Sequence, residues 1–506
     1  MTTRLRPSRR ARLAAVAAAA ALVLTGCASG TGTPAEGSTD LTWGWALPTS
    51  WDPVTSTAGW DTHALALVYD GLTQLDPDGE VVPGLAETWE YSDDGATVTF
   101  TLREGLEFSD GSPIDASAVK ANLERGRDQA DSTLAGQLAI VTGVDVVDDR
   151  SVAVHLDQAD YQVPHLFAGK TGFIVNPKAF SDVTSLATRP QGSGPFELTE
   201  YVPNAHADLE KNDLYWNAGR IHIDTFHIVP VADPATVVAG TQSGQYDVAL
   251  IPPSQVKAAE NVGLEVEKIR ALTVRALDVN NTVAPYDDPK VLQAISHATD
   301  RQALVDGAYF GQGTPNFQPF PKGYIAYDES LDDLYPYDVA TAEKLLAEAG
   351  HPDGIDITLG IQDADSAIAE VLQAQWAKAG IRATLEVLPP NANNYVTRTY
   401  PFVLDSYSGR QSPLQALEVL YGPEGLMNLG RNTPAELTAA IDEARATPTE
   451  AADYPEKLRK AVSIGVRSMP NTFLFTWPRI LIHAKQVTGI QHWIDVQRWE
   501  DVKVTG

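Results

Sequence analysis

YDGLTQLDPDGEVVPGLAETWEYSDDGATVTFTLREGLEFSDGSPIDASAVKANLE, residues 69–124, describes a compact α/β unit. Val98, Phe100 and Leu102 alternate with Thr97, Thr99 and Thr101. A period of two is a strand with one buried face. Ser92-Asp93-Asp94-Gly95 just before it is turn chemistry, so the stretch around Trp89 is expected to pair with this strand as a hairpin. Asp110-Gly111-Ser112-Pro113 is a second turn. Asp115 is then placed to cap a helix whose apolar side is Ala118, Val119 and Leu123.

The same reading extends in both directions. Residues 41–45 open the fold as a strand, and 64–69 form a helix. Residues 144–156 read as another hairpin, turning at Asp148-Asp149-Arg150 with Val152, Val154 and Leu156 on one face. Strands at 226–231 and 245–249 flank a helix near 234–243, and 272–280 is extended. Asp288-Pro289 starts a helix with a carboxylate cap and a proline in its first turn. A helix over 338–350 closes on Gly350, with Pro352 beyond. Ile368, Val371, Leu372 and Trp376 share a helical face that ends at Gly380, and Ile381, Ala383, Leu385 and Val387 then alternate as a strand. Helices over 434–446 and 453–468 precede an extended, apolar stretch at 470–477. Helix–strand units of this kind make an α/β fold.

The first 26 residues stand apart. Five arginines, at positions 4, 6, 9, 10 and 12, precede an apolar run over 14–24 that is too short to span a bilayer. Leu24-Thr25-Gly26-Cys27 matches a bacterial lipoprotein cleavage box, so 1–26 are expected to be a signal peptide and Cys27 a lipidated N-terminus. Two acyl chains give stable anchoring. Cys27 is the single cysteine in 506 residues, which leaves no internal disulfide. Small and polar residues over 27–40 read as a flexible tether. Loss of the five leader arginines moves the formal charge from −29 to −34, a poor surface for nucleic acid. The remaining length suffices for two or three domains.

Signs of catalysis are sparse. There is no Gly-x-Ser-x-Gly elbow and no phosphate-binding Gly-x-x-x-x-Gly-Lys-Ser/Thr loop. Gly192-x-Gly194 and Gly311-x-Gly313 each lack the third glycine of a dinucleotide loop. The ten histidines form no His-x-x-x-His pair, and His222 and His227 are expected on opposite faces of one strand. No cofactor and no metal are expected. Glu80, Asp93 and Asp94 read as a solvated surface and turn.

Tyr69–Leu72 (YDGL), P-x-LAETW ending at Trp89 and FTLREGLEFSDGSP over 100–113 together resemble the family 5 extracellular solute-binding proteins, receptors of peptide and nickel ABC importers. Gly192-Ser193-Gly194-Pro195-Phe196, Asn212-Asp213-Leu214-Tyr215-Trp216, and the AISHATDR run over 294–301 match further family elements, so the resemblance covers nearly all of 40–492. It implies an α/β, two-lobed periplasmic-binding-protein-like fold of type II (class C) with an additional small inserted domain. The implied division is 41–72, 189–275 and 471–506 for lobe I, 73–188 for the inserted domain and 276–470 for lobe II. Hinge strands are implied near 271–280 and 469–477. The implied role is capture of a small solute, peptide-like or otherwise polar, in the interlobe cleft and delivery to membrane permeases. The protein would act as a monomer, lipid-anchored at the extracytoplasmic face, without chemistry of its own.

Where relatives carry W-S-G-R-x-D-P, this chain has Tyr407-Ser408-Gly409-Arg410-Gln411-Ser412-Pro413. Tyr407, Ser408, Gly409 and Arg410 are therefore cleft candidates. Arg410 suits a ligand carboxylate or phosphate, or else an interloop salt bridge. Ser412 stands where peptide-binding members place an aspartate for the ligand's α-amino group. Trp45 and Trp60 either pack in the core with Trp43 and Trp51 or stack on the ligand. Phe317, with Phe320 nearby, is placed on the opposite wall. Trp89 and Trp216 are read as structural. Two other functions fit an exported chain: a hydrolase, which would need a catalytic constellation, and a surface sensor or adhesin on the same fold.

Overall fold

The computed structural model describes residues 39–389, 394–409 and 412–505. The leader, Cys27 and Arg410 lie outside the described residues. Among the described residues no helix is long and apolar enough to cross a membrane.

The chain forms two large sheets. The first has seven strands in the order Glu265–Ile269, Arg479–His483, Val248–Leu250, Asp40–Gly44, Thr225–Val229, His206–Lys211 and Phe196–Val202. Asp40–Gly44 is central and parallel to both neighbours. Its inward Trp43 packs with Phe226 and Trp499 in the core of this lobe. The second sheet has six strands, in the order Thr314–Pro315, Asn471–Thr476, Thr273–Val279, Phe402–Ser408, Ile355–Ile361 and Ile381–Val387. Helices Pro289–His297 and Ser366–Ala377 contribute to the core beside it.

The stretch 69–124 folds as its pattern dictates. Ala86–Tyr91 and Thr97–Leu102 pair antiparallel, and Val98, Phe100 and Leu102 are fully buried. Val141–Val146 and Ser151–Leu156 complete a four-stranded sheet with its own core around Phe100, Phe108 and Phe167. Asp115 Oδ1 accepts the Ala118 N–H at 2.8 Å and starts helix Ala116–Asp128. Asp288 and Asp338 cap their helices in the same way, accepting from the Lys290 and Thr341 N–H groups.

The motifs on either side of this unit converge on one buried carboxylate. Asp70 is fully buried and accepts from Gly71 N–H (2.9 Å), Gln74 Nε2 (2.9 Å), Tyr215 Oη (3.1 Å), Trp216 Nε1 (2.8 Å) and an Arg498 guanidinium nitrogen (3.1 Å). Ser193 Oγ accepts the Asp70 N–H at 3.2 Å, and the flanking Gly192 lies so close to the chain that a Cβ there would overlap the Val68 carbonyl oxygen. Arg103 lies over the Trp216 ring at 4.0 Å. Trp216 thus has the structural role read from the sequence, and Trp89 packs beside Phe100, with ring centroids 6.3 Å apart.

The chain passes between the sheets twice. Glu265–Ile269 belongs to the first sheet and Thr273–Val279 to the second. Asn471–Thr476 belongs to the second and Arg479–His483 to the first. The return therefore comes at Trp477-Pro478, and the strand at 471–476, assigned above to lobe I, is paired in lobe II. Residues 273–275 likewise pair in the second sheet. Thr273 Oγ1 donates to the Trp477 carbonyl at 2.7 Å and ties the two crossings together.

Two local expectations change. His222 lies outside strand Thr225–Val229, so the alternation argument does not apply to it. Val387 is 52% exposed because its strand is the last of the second sheet, where the inward row of Ile381 and Ala383 runs out of cover.

Replacing Arg498 by Met would leave Asp70 and Glu500, both buried around that guanidinium, without their cation. The expected loss is about 3–5 kcal/mol of unfolding free energy. Denaturant titration of Arg498→Met against wild type measures it; a change below about 1 kcal/mol would mean that the remaining donors suffice.

Candidate ligand-binding cleft

Between the two sheets lies a cavity of about 1100 Å³. Drug-sized pockets span about 300–1000 Å³, so this one suits a solute of several residues or rings. Both crossings border it, through Leu272, Thr273, Trp477 and Pro478.

Trp45, Trp60, Tyr407, Ser408 and Gly409 all line the cavity. Trp45 does so from the core: its ring stacks on Trp43 at 4.7 Å, and only an edge remains accessible. Trp60, ahead of helix Asp61–Val68, is 55% exposed and offers most of its ring. Tyr407 is buried at the end of strand Phe402–Ser408. Gly409 is needed for close approach: its N–H donates to the Leu272 carbonyl, and a Cβ there would overlap Leu272 Cβ.

Phe317 and Phe320 are not on the wall. Phe317 lies under the Arg301 guanidinium at 4.1 Å, and Phe320 is core. Arg301 is buried against Ser296 and the Phe473 carbonyl, and burial brings its pKa down to about 9. The Pro- and Gly-rich loop is folded onto this arginine, so its aromatics serve the lobe and not the cleft. Ser412 is also away from the cavity. It caps helix Pro413–Tyr421, accepting the Gln415 N–H at 3.4 Å, and its hydroxyl donates to Gln162 Oε1 at 3.0 Å.

The cavity holds polar groups that sequence reasoning missed. His63 Nδ1 accepts the Gln497 N–H at 3.0 Å, which puts the proton of the neutral ring on Nε2. Burial, helped by nearby Arg479, holds its pKa well below the usual imidazole value. The ring stands edge-on to Trp45 at 5.0 Å and lines the cavity. His63 follows Trp60 by three residues, one helical turn, and that spacing was the available signal. Arg479 donates to the carbonyls of Asp495 and Trp493, both at 2.9 Å, and burial lowers its pKa to about 10. Lys170 Nζ donates to the Ser56 carbonyl at 3.0 Å. Asp495 is the one acidic side chain on the wall among the described residues. On the lobe II side Tyr395 lines the cavity and donates to Asp278 Oδ2 at 3.2 Å. Burial, with Asp405 nearby, holds the Asp278 carboxyl well above the usual range. The wall can therefore meet an acceptor, a cation and a ring.

The inserted domain and lobe II touch beside the cavity. Besides Ser412 and Gln162, Gln415 Nε2 reaches Gln137 Oε1 at 3.2 Å, the Tyr161 N–H donates to the Arg445 carbonyl at 3.1 Å, and Arg445 lies 3.6 Å from Asp160. Burial lifts the Asp160 carboxyl to about 6, against the pull of the Gln162 N–H and Arg445. A carboxyl with a raised folded-state pKa holds its proton more tightly when folded. Its stabilising contribution is complete below the unfolded value near 3.8 and is lost as pH rises through about 6. The stability of wild type relative to Asp160→Asn should fall by roughly 2 kcal/mol between pH 4 and pH 7. Paired thermal unfolding curves across that range check this, and a pH-independent difference would refute it.

Comparison with known proteins agrees with this geometry. Residues 80–426, more than half of the chain, match the family described as bacterial extracellular solute-binding proteins, family 5 Middle. Over 327 residues the chain is 35% identical to the glutathione-binding protein GsiB of Salmonella paratyphi A, a stretch that is 63% of this chain. The matched region spans 64% of that relative's length, as it does for the same protein of Salmonella typhi. The structure of HbpA2 from Haemophilus parasuis superposes with a TM-score of 0.80 at 24% identity, over 92% of this chain and 99% of that one. DppA from Helicobacter pylori, an ABC transporter-associated periplasmic binding protein solved with the peptide STSA, gives 0.80 at 22% identity over 93% and 98%. The type II periplasmic-binding-protein fold is shared with both.

Proposed function

This chain belongs to the bacterial extracellular solute-binding proteins, family 5, and we propose from that premise that it captures a peptide-like solute for an ABC importer. The observation that carries this reading is the interlobe cavity, with aromatic walls, one imidazole donor and charges of both signs. Such a surface suits a solute that bears a carboxylate or amide acceptor together with an ammonium group. His63 Nε2–H and the Arg479 side would take the acceptor. Asp495 would take the cation, in place of the aspartate that relatives have at the position of Ser412. Trp60 would cover an apolar part of the solute. Arg410, the next residue in sequence after Gly409, is proposed as a further ligand contact, its guanidinium suited to a carboxylate or phosphate. The likeness to glutathione-binding relatives makes glutathione the first solute to try.

The protein binds and releases and does no chemistry. Its partners are the permease subunits of the importer, and it works as a monomer. It is held at the extracytoplasmic face by lipid on Cys27, with the 27–40 stretch as tether, except for Asp40, which belongs to strand Asp40–Gly44.

Thermal unfolding of the leaderless chain, with Cys27 replaced, tests this against glutathione, di- to pentapeptides, nickel chelates, oligosaccharides and opines. A solute at about 100 times its Kd adds roughly 2.7 kcal/mol to the native state. Peptide-like solutes are expected to raise the transition. His63→Ala should weaken binding about tenfold, equivalent to about 1.4 kcal/mol. Trp60→Ala should weaken it similarly, while Phe317→Ala leaves affinity unchanged. Silence across the panel, or hydrolysis of any member, would overturn the receptor reading.

A further inference from the structure

Three strands at one side of the first sheet gather a set of side chains that the cleft does not use. Phe196–Val202, His206–Lys211 and Thr225–Val229 lie side by side and antiparallel. Their register sets Glu200 opposite Asp208, and Asp208 opposite His227. His206 is two residues before Asp208 and so shares its face. His227 Nδ1 lies 2.8 Å from Asp208 Oδ1. The other oxygen, Oδ2, lies 3.7 Å from His206 Nε2, which is also 3.9 Å from Glu200 Oε1. Those two separations are too long for hydrogen bonds. One donor atom from each of Glu200, His206 and Asp208 lies within 4.8 Å of the other two. Among the described residues no lysine or arginine nitrogen is within 4.0 Å of either carboxylate. None of these residues borders the cavity.

We propose that Glu200, His206 and Asp208 bind a divalent transition-metal ion of the zinc class, with His227 as a positioning residue. One imidazole nitrogen and two carboxylates are a zinc-type donor set, whereas calcium and magnesium prefer oxygen alone. Bonds of about 2.0–2.2 Å in a tetrahedral shell put donor atoms about 3.3 Å apart. The three groups must therefore draw in by about half an ångström to somewhat more than one. They can do so, because Glu200 is largely exposed and the other two are half-buried. The bond from His227 fixes one carboxylate oxygen of Asp208 and presents the other to the ion, as an outer-shell partner does. Water completes the coordination. The bound ion joins the strand at the sheet's edge to its neighbour through side chains.

Zinc is the probe, titrated into metal-free leaderless chain by calorimetry in a non-chelating buffer at pH 7.5. One zinc per chain with micromolar affinity is expected. His206→Ala and Glu200→Gln should each lower that affinity at least tenfold, and His227→Ala should lower it by a smaller factor. His492→Ala, which alters an exposed histidine paired with Glu267 elsewhere, should leave it unchanged. A thermal scan of each variant without zinc verifies folding. Absence of stoichiometric uptake at 100 times micromolar zinc would overturn the proposal. So would uptake that His206→Ala and Glu200→Gln leave intact.

Discussion

Asp70 is a charge placed where no water reaches it. Burying an unpaired carboxylate costs several kcal/mol, so the fold must bring partners to it. They come from its own turn (Gly71, Gln74), from the segment after the inserted domain (Tyr215, Trp216) and from the C-terminal tail (Arg498). These segments are separated by more than a hundred residues each and share no strand pairing at this point. Satisfying one carboxylate thus fixes where the inserted domain leaves the first lobe and where the chain finally ends up. Arg498 brings Glu500 with it, and Trp499 between them packs on Trp43 and Phe226 in the central sheet's core.

That anchoring reaches the cleft through short covalent paths. Gln497, next to Arg498, orients His63 through its backbone N–H and receives one bond from Arg479 through its side chain. Asp495 is two residues further back. The polar wall of the cavity on the lobe I side is therefore assembled by the same tail that closes the buried network. Of the pair of groups that would read the solute, His63 is neutral because that assembly buries it, while Arg479 keeps its charge against the same burial.

Most of the fold was legible because its elements are local. The alternation in 97–102, the aspartate caps at 115, 288 and 338, and the glycines that close helices all depend on neighbours within a few residues. The cleft was legible only where a motif carried it, as at Tyr407, Ser408 and Gly409. His63, Arg479 and Asp495 come together across more than four hundred residues, and no local pattern announces such a meeting. Phe317 misled for the converse reason. An aromatic in a Pro- and Gly-rich loop looks available, but a buried arginine on a neighbouring helix takes its face. The donor set at Glu200, His206 and Asp208 escaped because histidine pairs were sought at helical spacing, while here the residues alternate along a strand and across a hairpin.

The hydrogen bond from Thr273 to the Trp477 carbonyl has a mechanical meaning. Two separate linkers would let the lobes twist, slide and tilt independently. The two crossings, tied side by side, instead define an axis, and rotation about that axis is the motion they hinder least. A solute held between the sheets then needs only enough differential contact to bias one angle. The contacts of Gln415 and Arg445 where lobe II meets the inserted domain span that same angle, so they must shift whenever it changes.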